Sequence, residues 1–348
     1  MPITSFFNFC HLCKNKAMSI TRSTYFDFTV YTFLLISTIF INKYVLSVLK
    51  FTYPTVFQAW QTLIGAVILK YLTVKKKLDV SCLDRSSATH LLPHCVFFVG
   101  AIVAGSKALS RLPIPVFASV CNLPLACTAL LDGCAGVGPG AGASARLLPV
   151  TAALLVVGAG VCTIIVDASL PFADSGYSWL LAHVVFLTAQ ILHARVCDPR
   201  YTEFDKIYYS NIFSVVILAP SSLYLEEAFS ALHFQHRRQL RFYAGCACSG
   251  VLGVLLQLWA ARVRACAGRV GVGASGEPGG AQARAPALAR LLGSAASVCV
   301  FPSDHQLGLA AWLFVALNLL AATCIPASAA AGPDHAPLDD KHVSALNV

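Results

Sequence analysis

The stretch "IFINKYVLSVLKFTYPTVFQAWQTLIG", residues 39–65, decides how the chain is read. Lys43 is the one charge in the apolar run from Phe28 to Leu49. A run of this length suits a bilayer, whose hydrocarbon is spanned by about 20 apolar residues. An ammonium placed there costs roughly 2.5–3.5 kcal/mol at a helix centre. The Asn42-Lys43 pair therefore has two readings. Lys43 snorkels to the membrane edge, or the pair turns inward to something polar. Beyond Pro54 a second apolar run begins. It carries Gln58 and Gln61, whose spacing of three puts them on one helix face.

Outward from this stretch the pattern repeats. Apolar runs fall near 25–47, 55–73, 90–109, 113–131, 147–166, 177–194, 207–225, 243–261, 284–301 and 307–326. The ninth is Ala-rich and carries Arg284 and Arg290, so hydropathy marks it least. Composition agrees: 57% of the 348 residues are hydrophobic, and only 12% are charged. Soluble domains are about one quarter charged. Mean hydropathy is +0.70. The fold class expected is an all-α polytopic membrane protein of about ten transmembrane helices. A membrane β-barrel would show short alternating segments instead.

The net charge of +9 is spread over connections and does not describe a nucleic-acid surface. Lys14, Lys16 and Arg22 precede the first span. Lys75, Lys76, Lys77 and Arg85 follow the second, and Arg262, Arg264 and Arg269 follow the eighth. Fewer basic residues lie on the other side, where Arg237, Arg238 and Arg241 form the main cluster. This bias predicts both termini in the cytosol. Residues 1–24 are read as a cytosolic segment, 25–326 as the transmembrane domain and 327–348 as a disordered cytosolic tail.

No catalytic constellation emerges. Most of the 14 cysteines lie in apolar runs, where Cys acts as a small hydrophobe. Cys10-His11-Leu12-Cys13 lacks a second ligand pair at zinc spacing. The glycines in 261–290 lack the Gly-Lys-Ser/Thr ending of a phosphate loop. No metal, cofactor or enzyme activity is expected. What stands out is polarity inside spans: Asn42, Lys43, Gln58, Gln61, Lys107, Asn122, and "YYSN", which is Tyr208, Tyr209, Ser210 and Asn211. Such groups usually face a bundle interior or a water-filled path. Interhelical hydrogen bonding explains the amides equally well, and belt aromatics at the membrane surface explain the tyrosines.

Residues 42–65, "GSKALSRLPIPVF" at 105–117 with Asn122-Leu123, and "YYSN" at 208–211 together resemble nucleotide-sugar transporters of the drug/metabolite transporter superfamily. "YYSN" is similar to the Phe-Tyr-Asn-Asn base-binding motif of the GDP-mannose branch, with Tyr208 for Phe and Ser210 for the first Asn. Cys121 stands where that branch often has Lys. The family's Gly-Ala-Leu-Asn-Lys motif has no evident counterpart in 261–300. The resemblance implies two inverted five-helix repeats with the substrate site between them. It implies transport of a nucleotide sugar, UDP-N-acetylglucosamine first, from the cytosol into the Golgi lumen in exchange for a nucleoside monophosphate. GDP-mannose or another nucleotide sugar is the alternative within the class. A non-transporting membrane scaffold is the alternative outside it. The ten polar residues named above are the candidate substrate-binding set. The expected partners are the nucleotide sugar and membrane lipid, with a homodimer left open and no nucleic acid.

Overall fold

The computed structural model describes residues 20–78, 80–81, 85–135, 143–167, 176–197, 200–235, 239–270, 285–301 and 307–325. The Cys10–Cys13 pair, the glycine-rich 136–142 and 271–284, and the tail from 326 onward lie outside the described residues. Within them every regular element is helical, and no strand occurs.

Helix α1 (Ile20–Lys43) continues into a π-helical turn at Tyr44–Val48. Then come α2 (Pro54–Val74), α3 (Arg85–Arg111), α4 (Ile114–Val120), α5 (Leu123–Ala135) and α6 (Ala143–Asp167). The second half has α7 (Tyr177–Val196), α8 (Glu203–Tyr224), the short α9 (Glu227–Leu232), α10 (Leu240–Val270), α11 (Ala285–Val300) and α12 (Leu309–Ala322). Among the described residues, seven helical segments are long and apolar enough to cross a membrane: Phe26–Val48, Ser87–Arg111, Ile114–Cys134, Leu147–Val166, Tyr177–Val196, Glu203–Tyr224 and Leu240–Arg264. The other three expected spans coincide with α2 and with the shorter apolar helices α11 and α12.

The helix starts follow local chemistry. Pro54 opens α2, where a missing N–H costs nothing. Thr202 and Asp205 form a capping box on α8. Asp205 is fully buried and also accepts from the Ser81 N–H at 2.7 Å and the Ser81 hydroxyl at 3.2 Å. It thereby ties the α2–α3 connection to α8. Pro124 interrupts the fourth pass. Its ring disfavours a bond to the carbonyl four residues back, and the chain turns at Cys121-Asn122 between α4 and α5.

The helices pack in a closed bundle. α3 lies on α7, α6 on α12, α2 on α8 and α10, and α1 on α10 and α11. α4 lies on α11, and α3 also meets α8. The largest apolar core joins α4, α5, α6 and α7 through Val116, Val120, Ala126, Ala153, Val156 and Leu180. Gly100 lets α7 approach α3: a Cβ there would meet the Phe186 ring at 2.7 Å. Large apolar side chains such as Val67, Ile165, Val185, Val216 and Leu309 are exposed around the outside, as lipid-facing helices require. At one end of the bundle Phe51 packs against Phe234 and Phe242, each at 5.0 Å. The Glu227 carboxylate accepts from the Thr55 N–H there at 2.9 Å. A carboxylate suits the positive end of α2.

Candidate functional site

Among the described residues, two polar clusters inside the bundle gather candidate side chains. The first forms at the α4–α5 break. Asn122 is fully buried, and its Nδ2 donates to Asn318 Oδ1 on α12 at 3.1 Å. Asn318, also fully buried, donates to the Val156 carbonyl on α6 at 2.7 Å. Arg290 of α11 donates from Nη1 to Asn122 Oδ1 at 2.6 Å. Its helix packs on α1 and on α4, so Arg290 lies between α1 and the break. Among the described residues no carboxylate pairs with Arg290. A guanidinium held by a neutral amide inside a membrane bundle leaves positive charge to be met by something else.

The second cluster joins α1, α2, α8 and α10. Asn211 is buried and donates from Nδ2 to Gln257 Oε1 at 2.7 Å and to the Ile207 carbonyl at 2.8 Å. Gly65 makes room for it: a Cβ there would lie 2.5 Å from Asn211 Oδ1. Beside this pair, Asn42 Oδ1 accepts from Gln61 Nε2 at 2.9 Å and from the Ser249 hydroxyl at 2.5 Å. Gln61 also bonds Ser249.

The remaining candidates are dispersed. Lys43 is 2% exposed, and its Nζ donates to the carbonyls of Leu109 at 3.0 Å and Leu112 at 2.6 Å. Those carbonyls sit at the C-terminal end of α3, where unpaired C=O groups and the helix dipole favour a cation. Gln58 bonds the Ser106 hydroxyl of α3. Lys107 stacks its ammonium over the Trp179 ring at 4.3 Å. The "YYSN" residues divide. Ser210 and Asn211 face inward, with Ser210 donating to Cys95 Sγ at 3.7 Å. The Tyr209 hydroxyl donates to the Ser81 carbonyl. Tyr208 lines an open groove between α2 and α8.

No protein-family model matches the chain. Among curated proteins it is 37% identical over 236 residues to the UDP-N-acetylglucosamine transporter TMEM241 homolog of Xenopus laevis, covering 66% of this chain and 75% of that protein. It is 38% identical over 229 residues to the UDP-N-acetylglucosamine transporter TMEM241 of Mus musculus, covering 64% and 73%. GDP-mannose transporter 2 of Neosartorya fischeri is 28% identical over 265 residues, covering 70% and 73%. The chain belongs to the nucleotide-sugar transporter family. It is a multi-pass membrane transporter and not an enzyme.

Sequence reasoning about this nucleotide-sugar transporter missed three interior residues: Ser249, Arg290 and Asn318. Gln257 reads from the sequence as interhelical hydrogen-bonding glue, and its bond to Asn211 is of that kind. Ser249 sits singly in an apolar helix and gives no pattern. Arg290 lies in the run that hydropathy marks least, and the amide it meets is that of Asn122, itself bonded to Asn318.

Proposed function

We propose that this chain carries UDP-N-acetylglucosamine from the cytosol into the Golgi lumen in exchange for a nucleoside monophosphate. The observation that carries the reading is Arg290, a membrane-embedded cation whose hydrogen-bond partner is the neutral Asn122. A nucleotide diphosphate sugar brings about two negative charges, by analogy with phosphate esters. Attraction between such charges strengthens as the dielectric falls. In this reading the diphosphate sits at Arg290 and Asn122. Asn211, Gln257 and Ser210 present hydrogen-bonding edges to the base. Asn42, Gln58 and Gln61 hold the walls of the path together, and Lys43 shapes it by fixing the end of α3. The relatives named for UDP-N-acetylglucosamine transport support that substrate over GDP-mannose.

The architecture proposed is ten crossings in two inverted repeats. The first five are α1, α2, α3, α4–α5 and α6. The second five are α7, α8, α10, α11 and α12. The packing supports this, because advancing each pass by five reproduces the contacts. The α1–α10 contact becomes α7–α3, α2–α10 becomes α8–α3, and α1–α11 becomes the contact of α7 with α4–α5. The α2–α8, α4–α11 and α6–α12 contacts map onto themselves. An odd number of crossings per repeat turns the second repeat over, as in other transporters with a midplane site. Residues 1–24 and 327–348 are placed in the cytosol.

The test is reconstitution of the full chain in liposomes preloaded with UMP, GMP or buffer, offered a panel of labelled nucleotide sugars. UDP-N-acetylglucosamine should enter, and only with UMP inside. Entry of GDP-mannose against GMP would move the chain to the other branch. Uptake into empty liposomes would remove the exchange mechanism, and no uptake of any sugar nucleotide would favour a scaffold.

A further inference from the structure

The outward face of α2 is a stripe of exposed side chains: Trp60, Leu63, Val67, Lys70, Tyr71 and Val74. All but Lys70 suit lipid. Lys70 makes no hydrogen bond or ion pair among the described residues. It lies on the rim of an open groove of about 410 Å³ between α2 and α8, lined by Ala66, Val67, Lys70, Tyr208 and Ile212. Tyr208 is only 8% exposed, yet its hydroxyl has no hydrogen-bond partner among the described residues. A hydroxyl that opens on an apolar, lipid-facing groove is costly unless it finds a partner there. A lysine that merely snorkels needs neither a groove nor a second unpaired donor beside it. Three exposed lysines, Lys75, Lys76 and Lys77, follow at the same end of the helix.

We propose that this groove binds one anionic glycerophospholipid. The headgroup phosphate accepts from Lys70 Nζ and the Tyr208 hydroxyl, and an acyl chain lies over Ala66, Val67 and Ile212. Charge selects the occupant: an ammonium and a neutral donor match a phosphate-bearing anion, and the apolar floor matches a hydrocarbon tail. The lysine-rich end of α2 adds a field that attracts anionic headgroups. The groove opens on the lipid-facing stripe and not toward Arg290, so the inference does not rest on the substrate proposed above.

The test is native mass spectrometry of the full chain, purified in detergent and offered phosphatidylserine and phosphatidylcholine of identical acyl chains in equal amounts. The wild type should retain one phosphatidylserine with at least roughly a fivefold preference, the factor one lysine near a charged lipid surface supplies. Lys70→Met should remove most of that preference, and adding Tyr208→Phe should lower the fraction of protein that retains any lipid. Lys70 is exposed and Phe keeps the tyrosine ring, so both variants should stay monodisperse. Ala at Lys75, Lys76 and Lys77 together should leave the single tightly held lipid in place. Excess inorganic phosphate should not displace it. An unchanged preference in the Lys70→Met, Tyr208→Phe variant overturns the proposal. So does loss of the lipid only in the Lys75–Lys77 variant, which would mark a diffuse field, or its displacement by inorganic phosphate, which would mark a free-anion site.

Discussion

Replacing Lys43 by Met keeps the length of the side chain and removes its charge. In the structure Lys43 Nζ holds two backbone carbonyls, at 3.0 and 2.6 Å, across the gap from α1 to the end of α3. Hydrogen bonds from a charged donor contribute about 1.5–3 kcal/mol each. Removing the charge also removes its membrane desolvation, roughly 2.5–3.5 kcal/mol on insertion scales. These terms nearly offset at their low end and leave a clear loss at their high end. The two carbonyls left without their donor push the balance toward loss. The expected result is a destabilisation of about 2 kcal/mol, the cost typical of an unsatisfied buried group. Equilibrium unfolding in mixed micelles reads it directly. Transport assayed per folded molecule should keep its KM within about twofold, because a cap acts on α3 and touches no phosphate. A KM raised tenfold or more with unchanged stability would refute the capping argument and assign the ammonium to substrate.

Asn211→Ala removes the bond to Gln257 and, in this account, a base-reading edge. It should raise KM for uridine nucleotides about five- to a hundredfold, as loss of a buried hydrogen bond does, whereas an equal loss for every nucleotide would make Asn211 structural. Asp205→Ala strips the acceptor shared by Thr202 and Ser81, so unfolding should show a loss of about 2–4 kcal/mol. Limited proteolysis should then cut faster between α2 and α3. Tags at either terminus should be protease-accessible in sealed Golgi vesicles, and a protected C-terminal tag would contradict the proposed even number of crossings.

The helical membrane fold was legible because its signal is additive: long apolar runs with few charges identify bilayer spans without any knowledge of contacts. Asn122 and Asn211 were legible for a related reason, since an amide deep in an apolar run must find a polar partner. The partners themselves were not. Lys43 binds main-chain carbonyls of Leu109 and Leu112, and every residue has a carbonyl, so no sequence pattern announces that contact. Tyr208 and Tyr209 read as one motif, but neighbours on a helix point about 100° apart, and the structure sends them to different places. Arg290 stands in the run that hydropathy marks least, because α11 is short and Ala-rich. Its bond to Asn122 follows from the packing of α11 on α4, beside the break at Pro124, and no local sequence pattern carries that contact.

The central claim is that an interior cation at Arg290 receives the diphosphate of a nucleotide sugar. The direct measurement is initial uptake of UDP-N-acetylglucosamine into UMP-loaded liposomes by wild type and Arg290→Gln, at equal amounts of folded protein. Gln retains a donor for Asn122 and loses the charge. The account predicts robust wild-type uptake and a variant reduced about ten- to a hundredfold in kcat/KM, the span expected for one charge-assisted hydrogen bond. Uptake by Arg290→Gln equal to wild type would contradict it.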